Sequence, residues 1–247
     1  MLVLSSDLYP SPDPQRFVFA LNKGKGIHYS SGPAAEIGFA PEGHRVAELA
    51  ATTLYKRGLP KGRGIYRVDA AFPTAGVWSA VVTTDGKRVR FAIQVKDEAE
   101  APVVGSQAPR APSPTPRNTL GVNPICTREP PCNLHQVSLA DAIGAGKPVA
   151  AMFATPALCQ SQYCGPVLDE LLALVPDYKD RITFVHIDIY TSLESQKRKL
   201  APTVQAYGLP SEPWLFGIDV SGIIRSRLDG AIGKDEIKAV LDQLVAT

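Results

Sequence analysis

A proline-rich run from Glu98 to Pro116, EAEAPVVGSQAPRAPSPTP, cuts the chain into two unlike halves. Its prolines at 102, 109, 112, 114 and 116 fix φ, remove backbone donors and favour extended conformations. Its large apolar side chains are limited to Val103 and Val104, so it cannot bury enough surface to fold alone. Residues 98–120 therefore read as a semi-rigid linker between a first body, residues 1–97, and a second, residues 121–247. With 247 residues, 45% of them hydrophobic and 20% charged, each body is long enough for a core of its own.

The first body shows period-two alternation, which places every second side chain on one face of a strand. Tyr66, Val68, Ala70 and Phe72 form one such face, Trp78, Ala80 and Val82 a second, and Val89, Phe91, Ile93 and Val95 a third. Phe17, Phe19 and Leu21, then Ile37 and Phe39, mark two earlier strands, with turns at residues 73–76 and at Asp85-Gly86. The segment from His44 to Arg57 fits neither period. Several short strands at this spacing predict an all-β antiparallel sandwich. The pattern Gly64-Ile-Tyr66, Ala75-Gly-Val-Trp78, Asp85-Gly86 resembles the immunoglobulin-like domains of bacterial cell-envelope proteins, which implies that Tyr66 and Trp78 are core residues. His28 and His44 have no Cys or second His at ligand spacing and read as surface residues.

The second body alternates its periods, the mark of an α/β layer architecture. Ser138 precedes a short helix with Asp141 in its first turn. Pro148 to Phe153 is a continuously apolar strand, and a helix from about Cys164 to Val175 carries Leu168, Leu171, Leu172 and Val175 as a buried stripe. Strands follow over 182–189, 213–218 and 222–228, and a helix over 234–245 with Ile237, Val240, Leu241 and Leu244 inward.

Charge excludes some partners. Twenty-six Lys and Arg against 24 Asp and Glu give a net charge of +2, and the basic clusters Lys23-Gly-Lys25 and Lys197-Arg-Lys199 lack interleaved aromatics, so nucleic acid is not expected. No apolar run approaches the ~20 residues of a membrane span. The four cysteines fall in the second half as two close pairs, Cys126 with Cys132 and Cys159 with Cys164. An even number in close pairs favours an oxidising, extracytoplasmic setting at the cell envelope or outside it.

Strand, loop, Cys164-Gly-Pro at a helix start, then Tyr207-Gly-Leu and Pro213 entering a strand are together similar to the thioredoxin superfamily across residues 121–247. The resemblance implies that Cys164 is the attacking thiol and Pro213, in Ser-Glu-Pro-Trp, a cis-proline facing it, with Glu212 and Trp214 beside it in substrate binding. A thiol at a helix N-terminus meets unsatisfied N–H groups that favour thiolate, the reactive form.

Two departures matter. Val167 stands where the family's second cysteine would be, so any resolving thiol within the chain is Cys159. Ala151 and His186 stand where the family's buried Asp and Lys would be, which makes His186 the candidate proton carrier for Cys164. The Cys126 and Cys132 pair reads as a structural disulfide. The expectation is thiol–disulfide exchange with protein thiols and disulfides through Cys159 and Cys164, without cofactor or metal; an envelope protein is a candidate partner of the sandwich. The alternative is a binding or adaptor protein with two permanent disulfides. Metal readings, copper on Cys159, Cys164 and His186 or His135, or zinc on all four thiolates, suffer from spacing.

Overall fold

A computed structural model describes residues 1–21, 32–56, 64–159, 163–194, 196 and 198–246. His28, Lys23, Lys25 and Lys197 lie outside the described residues. The chain forms two compact units, Met1–Ala99 and Glu100–Thr247.

The first unit holds β1 (Leu2–Val3), β2 (Ser11–Ala20), β3 (Ala35–Pro41), β4 (Ala50–Ala51), β5 (Thr53–Tyr55), β6 (Ile65–Phe72), β7 (Gly76–Thr84) and β8 (Lys87–Val95). They make two four-stranded sheets, β1-β2-β6-β5 and β4-β3-β7-β8, with every pairing antiparallel. Phe17, Phe19, Tyr66, Val68 and Phe72 of the first sheet share one core with Ile37, Trp78, Ala80, Val82, Ile93 and Val95 of the second. Tyr66 and Trp78 are buried, and each polar tip is satisfied: Tyr66 Oη donates to the Pro33 carbonyl at 2.9 Å and Trp78 Nε1 to that of Thr74 at 3.0 Å. Asp85 and Gly86 both take positive φ, as a two-residue hairpin between Thr84 and Lys87 requires. Val89, expected inward, is 43% exposed. The segment that fitted neither period splits into β4 and β5, which pair with different sheets. His44 is exposed.

The second unit contains β9 (Val149–Phe153), β10 (Thr183–Ile187), β11 (Trp214–Ile218) and β12 (Ile224–Asp229), with α1 (Leu139–Ala142), α2 (Cys164–Tyr178), α3 (Pro202–Ala206) and α4 (Lys234–Ala246). The sheet order is β10-β9-β11-β12, with β10 parallel to β9 and the other two pairings antiparallel. A mixed sheet with helices on both faces is the α/β layer architecture that the alternating periods predict. One face of the sheet, through Ala151, Phe153, Val185, Ile187, Trp214 and Phe216, packs with Leu139, Val204 and Tyr207. On the other face α4 lies over β11 and β12, with α2 against α4. A Cβ at Gly217 would come within 2.9 Å of Val240 Cγ1, so glycine sets the close approach of α4 to the sheet. The buried positions of α2 are Cys164, Val167, Leu168, Leu171, Leu174 and Tyr178, so its stripe is rotated from the expected one, with Leu172 and Val175 at its margin.

The expected linker does not behave as one. Ala101, Ala108 and Ala111 are buried in the core of the second unit. Gly105 N–H donates to Ile224 O at 2.8 Å, Ile224 N–H to Ser106 O at 3.0 Å, and Ala108 N–H to Gly222 O at 2.8 Å. The segment thus pairs with the start of β12 on its outer edge, satisfying backbone groups at Gly222 and Ile224. A chain too polar to fold alone can still dock through alanines and backbone bonds. It also replaces the expected Ser138 cap: Ser138 Oγ accepts the Ser113 N–H at 2.9 Å, while Ser113 Oγ accepts the Leu139 N–H at 2.8 Å. Among the described residues, no helix is long and apolar enough to cross a membrane.

Candidate functional site

The carboxyl ends of β9 and β10 and the entry to β11 lie at the same end of the sheet, where open α/β sheets place their ligands. Two cysteine clusters gather there.

The first is built on the loop between β9 and α2. Cys159 and Cys164 form a disulfide with Cα atoms 5.8 Å apart. Cys164 is the first residue of α2 and is fully buried, while Cys159 is half-buried. Cys159 Sγ accepts the Cys164 N–H at 3.2 Å, so the sulfur that meets the positive end of the helix is that of Cys159. Of the two sulfurs, that of Cys164 is the shielded one and that of Cys159 the more exposed.

The Glu212-Pro213 peptide is cis, as the resemblance implies, and Pro213 is buried. Trp214 is not a surface for substrate. It is 1% exposed, stacks on Phe216 at 5.6 Å between ring centroids and lies under the Arg227 guanidinium. Glu212 has a different importance from the one expected. One carboxylate oxygen lies within 4.8 Å of both sulfurs, and its buried Oε2 has no hydrogen-bond partner among the described residues. Burial and the nearby Asp188 carboxylate push its pKa up to about 7, against the lowering pull of the Thr155 backbone N–H and Arg198.

The second cluster joins Cys126, Cys132, His135 and His186. His186 was expected to serve Cys164, but the register places it opposite Met152 and places Val185 opposite Ala151, so His186 points away from the face assumed for it. Its Nε2 lies 2.9 Å from the Ala154 carbonyl, and its Nδ1 lies 3.4 Å from Cys132 Sγ, 4.0 Å from Cys126 Sγ and 3.1 Å from His135 Nε2. His135 Nε2 in turn lies 3.5 Å from Cys132 Sγ. The segment bearing these residues runs along β10, where His186 N–H donates to Leu134 O at 2.9 Å.

Cys126 and Cys132 are not bonded to one another; their sulfurs are 3.8 Å apart. The expected structural disulfide is therefore corrected, because both sulfurs are turned toward two buried imidazoles. The hydrogen bond from Cys132 holds Cys126 well below the ordinary thiol range. Asp188 secures the segment, its carboxylate accepting Thr127 N–H at 3.0 Å and Thr127 Oγ1–H at 2.7 Å. Sequence reasoning reached His135 only as a stand-in copper ligand, although Cys132-Asn-Leu-His135 has ligand spacing. It did not see the titratable carboxylate of Glu212, for which composition gives no signal.

No protein-family model and no curated protein matches the chain. Among solved structures, it is similar to a protein of Chlorobium tepidum assigned as thiol:disulfide interchange protein DsbE. That match has 17% identity and a TM-score of 0.40, covering 58% of this chain and 96% of that one. It is also similar to a thioredoxin family thiol:disulfide interchange protein of Chlorobium tepidum TLS, at 16% identity and a TM-score of 0.39, covering 59% of this chain and 99% of that one.

Proposed function

We propose that the second unit exchanges thiols and disulfides through Cys159 and Cys164, with Cys159 as the entry sulfur and Glu212 as the proton carrier. The observation that supports this is the half-buried Cys159 Sγ on the first N–H of a 15-residue helix, bonded to a shielded partner beside a carboxyl group that titrates near neutrality.

In the oxidised form a substrate thiolate attacks Cys159 Sγ. The Cys159–Cys164 bond breaks and its electron pair leaves on Cys164, which takes the Glu212 proton. A second substrate thiol, its proton passing to Glu212, then attacks the substrate sulfur of the mixed disulfide and releases Cys159 as thiolate. Two electrons have moved from substrate to the pair. The reverse sequence oxidises the pair and reduces a substrate disulfide. Val167 leaves no other thiol on α2, so the couple spans five positions instead of one helical turn.

Protein thiols and disulfides are the substrate class, and the setting is extracytoplasmic. The first unit is read as an immunoglobulin-like sandwich that docks an envelope protein. Full burial of Cys164 favours a second reading, a scaffold with a permanent disulfide.

A redox titration with disulfide mapping separates the two readings. Opening of the Cys159–Cys164 bond near the potential of cellular thiol pools supports exchange. Persistence well below about −300 mV overturns it in favour of the scaffold.

A further inference from the structure

The geometry points to a tetrahedral zinc site formed by Cys126, Cys132, His135 and His186, separate from the disulfide and independent of the exchange reading. Zinc bonds to sulfur at about 2.3 Å and to imidazole nitrogen at about 2.0–2.1 Å, so a tetrahedral site has edges of about 3.8 Å between sulfurs, about 3.5 Å between sulfur and nitrogen and about 3.3 Å between nitrogens. The corresponding distances are 3.8 Å for Cys126–Cys132, 3.5 Å for Cys132–His135, 3.4 Å for Cys132–His186, 4.0 Å for Cys126–His186 and 3.1 Å for His186–His135. All four ligand atoms lie within 4.8 Å of one another. Four of the five edges lie within about 0.2 Å of one polyhedron, and the Cys126–His186 edge is longer by about 0.5 Å.

Hydrogen bonding alone explains the convergence poorly. With His186 Nε2–H donating to the Ala154 carbonyl, His186 Nδ1 is left as a bare acceptor. With both histidines neutral, the four facing atoms then share three hydrogens at most, two on sulfur and one on His135, and once these are released every one of the four presents a lone pair to the others. A single cation serves all four. With both cysteines as thiolates and both histidines neutral, a divalent ion also cancels the buried charge, and a set of two sulfurs and two imidazoles suits zinc.

The surroundings match those of metal ligands at His186 and Cys126, whereas the outer Nδ1 of His135 is buried without a hydrogen-bond partner among the described residues. A ligating histidine ordinarily donates its other ring N–H to a carbonyl, as His186 does to Ala154. Cys126 Sγ accepts the Cys132 N–H at 3.4 Å, which orients the sulfur and offsets thiolate charge. The ligands come from the segment beside β10 and from β10 itself, so the ion would clip that segment to the sheet edge.

The test uses the full chain purified under reducing conditions, with metal content by mass spectrometry and X-ray absorption at the zinc edge. About one zinc per chain is expected, with a shell of two sulfurs at about 2.3 Å and two nitrogens at about 2.0–2.1 Å. Cobalt in place of zinc should give the intense visible bands of a tetrahedral thiolate complex. Cys132→Ser should fall to less than about a tenth of that occupancy, while Cys159→Ser with Cys164→Ser should keep it and lose only exchange. His135→Cys, which retains four ligands, should bind cobalt with a third thiolate and a shifted spectrum, and so reports on the site even where Cys132→Ser fails to fold. Any of three results overturns the assignment: reduced, folded wild-type chain that takes up neither zinc nor cobalt; a shell rich in oxygen or made of four sulfurs; or metal lost with the Cys159 and Cys164 pair instead.

Discussion

Two cysteine pairs of nearly equal spacing, five and six positions apart, meet opposite fates in one domain. Cys159 and Cys164 sit on a loop that ends at a helix, with no imidazole among their described partners, and they bond to each other. Cys126 and Cys132 sit on a segment laid along β10, where two buried imidazoles compete for the same sulfurs and hold them 3.8 Å apart. Spacing permits a bond in both cases. What separates them is the neighbouring group: a helix N-terminus and a protonatable carboxylate at the first pair, lone pairs of nitrogen at the second. The pairs are thus assigned different chemistry, electrons at one and a cation at the other.

The largest effect that tests this contrast is loss of exchange. Cys159→Ser and Cys164→Ser should each abolish turnover of a model disulfide while leaving the fold intact, since the loop closed by the bond is too short to contribute more than about 2 kcal/mol. The two variants should differ in one respect. Cys164→Ser should accumulate a mixed disulfide with substrate through Cys159 on non-reducing gels, and Cys159→Ser should not. The opposite pattern would restore Cys164 as the entry sulfur.

Next in size is the response to metal removal. Stripping zinc from a site held at about a thousandfold excess over its dissociation constant should destabilise the second unit by about 4 kcal/mol, or about 10 °C in its unfolding midpoint by calorimetry. His186→Ala should reproduce that loss without moving the pH profile of exchange. A profile that shifts with His186 would return the histidine to the proton path and blur the contrast.

These expectations show what the sequence could and could not carry. Strand periodicity survived because alternation is a local signal read directly as burial, as in Tyr66, Val68 and Phe72. The helix start at Cys164 and the candidate cis-proline were likewise written in local motifs. His186 was misplaced because a shift of one position in register reverses the face of a strand side chain, and register is a long-range quantity. The proline-rich segment reads as a linker because its alanines signal no core by themselves; only the second unit, against which they are buried, makes them one. His135 faces His186, 51 residues away, and Glu212 faces Cys159 and Cys164 across the sheet end, separations over which no local sequence pattern reaches.

Glu212 gives the third test. An acid whose pKa rises from 4.5 to about 7 on folding keeps a proton that the unfolded chain has lost, so stability falls as pH rises between those values and stays lower above about 7. Glu212→Gln should remove that slope, leaving the variant more stable than wild type by about 2–3 kcal/mol at about pH 8 in denaturant titrations. The same variant should exchange thiols about a hundredfold more slowly and lose the limb of the pH–rate profile near neutrality. The charged and titrating groups bearing on this carboxylate are Asp188, Arg198 and Tyr190, so the substitution is read against each of them held constant. A profile unchanged in Glu212→Gln would place the proton elsewhere.

The smallest expected effect lies where the two clusters touch. Thr127 Oγ1–H donates to Asp188 on the metal-ligand side, and the same oxygen accepts the Ala157 N–H from the cysteine loop at 3.4 Å. Thr127→Val keeps the shape and removes both bonds, leaving the Thr127 N–H as the one remaining Thr127 donor to the buried carboxylate. Loss of a hydrogen bond to a charged group costs about 1.5–3 kcal/mol, and the Ala157 N–H is exposed enough to find water, so the net loss should lie near about 2 kcal/mol. Its distribution decides the comparison. If the two clusters act separately, Thr127→Val lowers stability and metal retention while the Cys159–Cys164 potential stays within about 30 mV of wild type, the shift that would correspond to about 1.4 kcal/mol. A larger shift would mean that the threonine transmits the state of one cysteine pair to the other, and that they form one device.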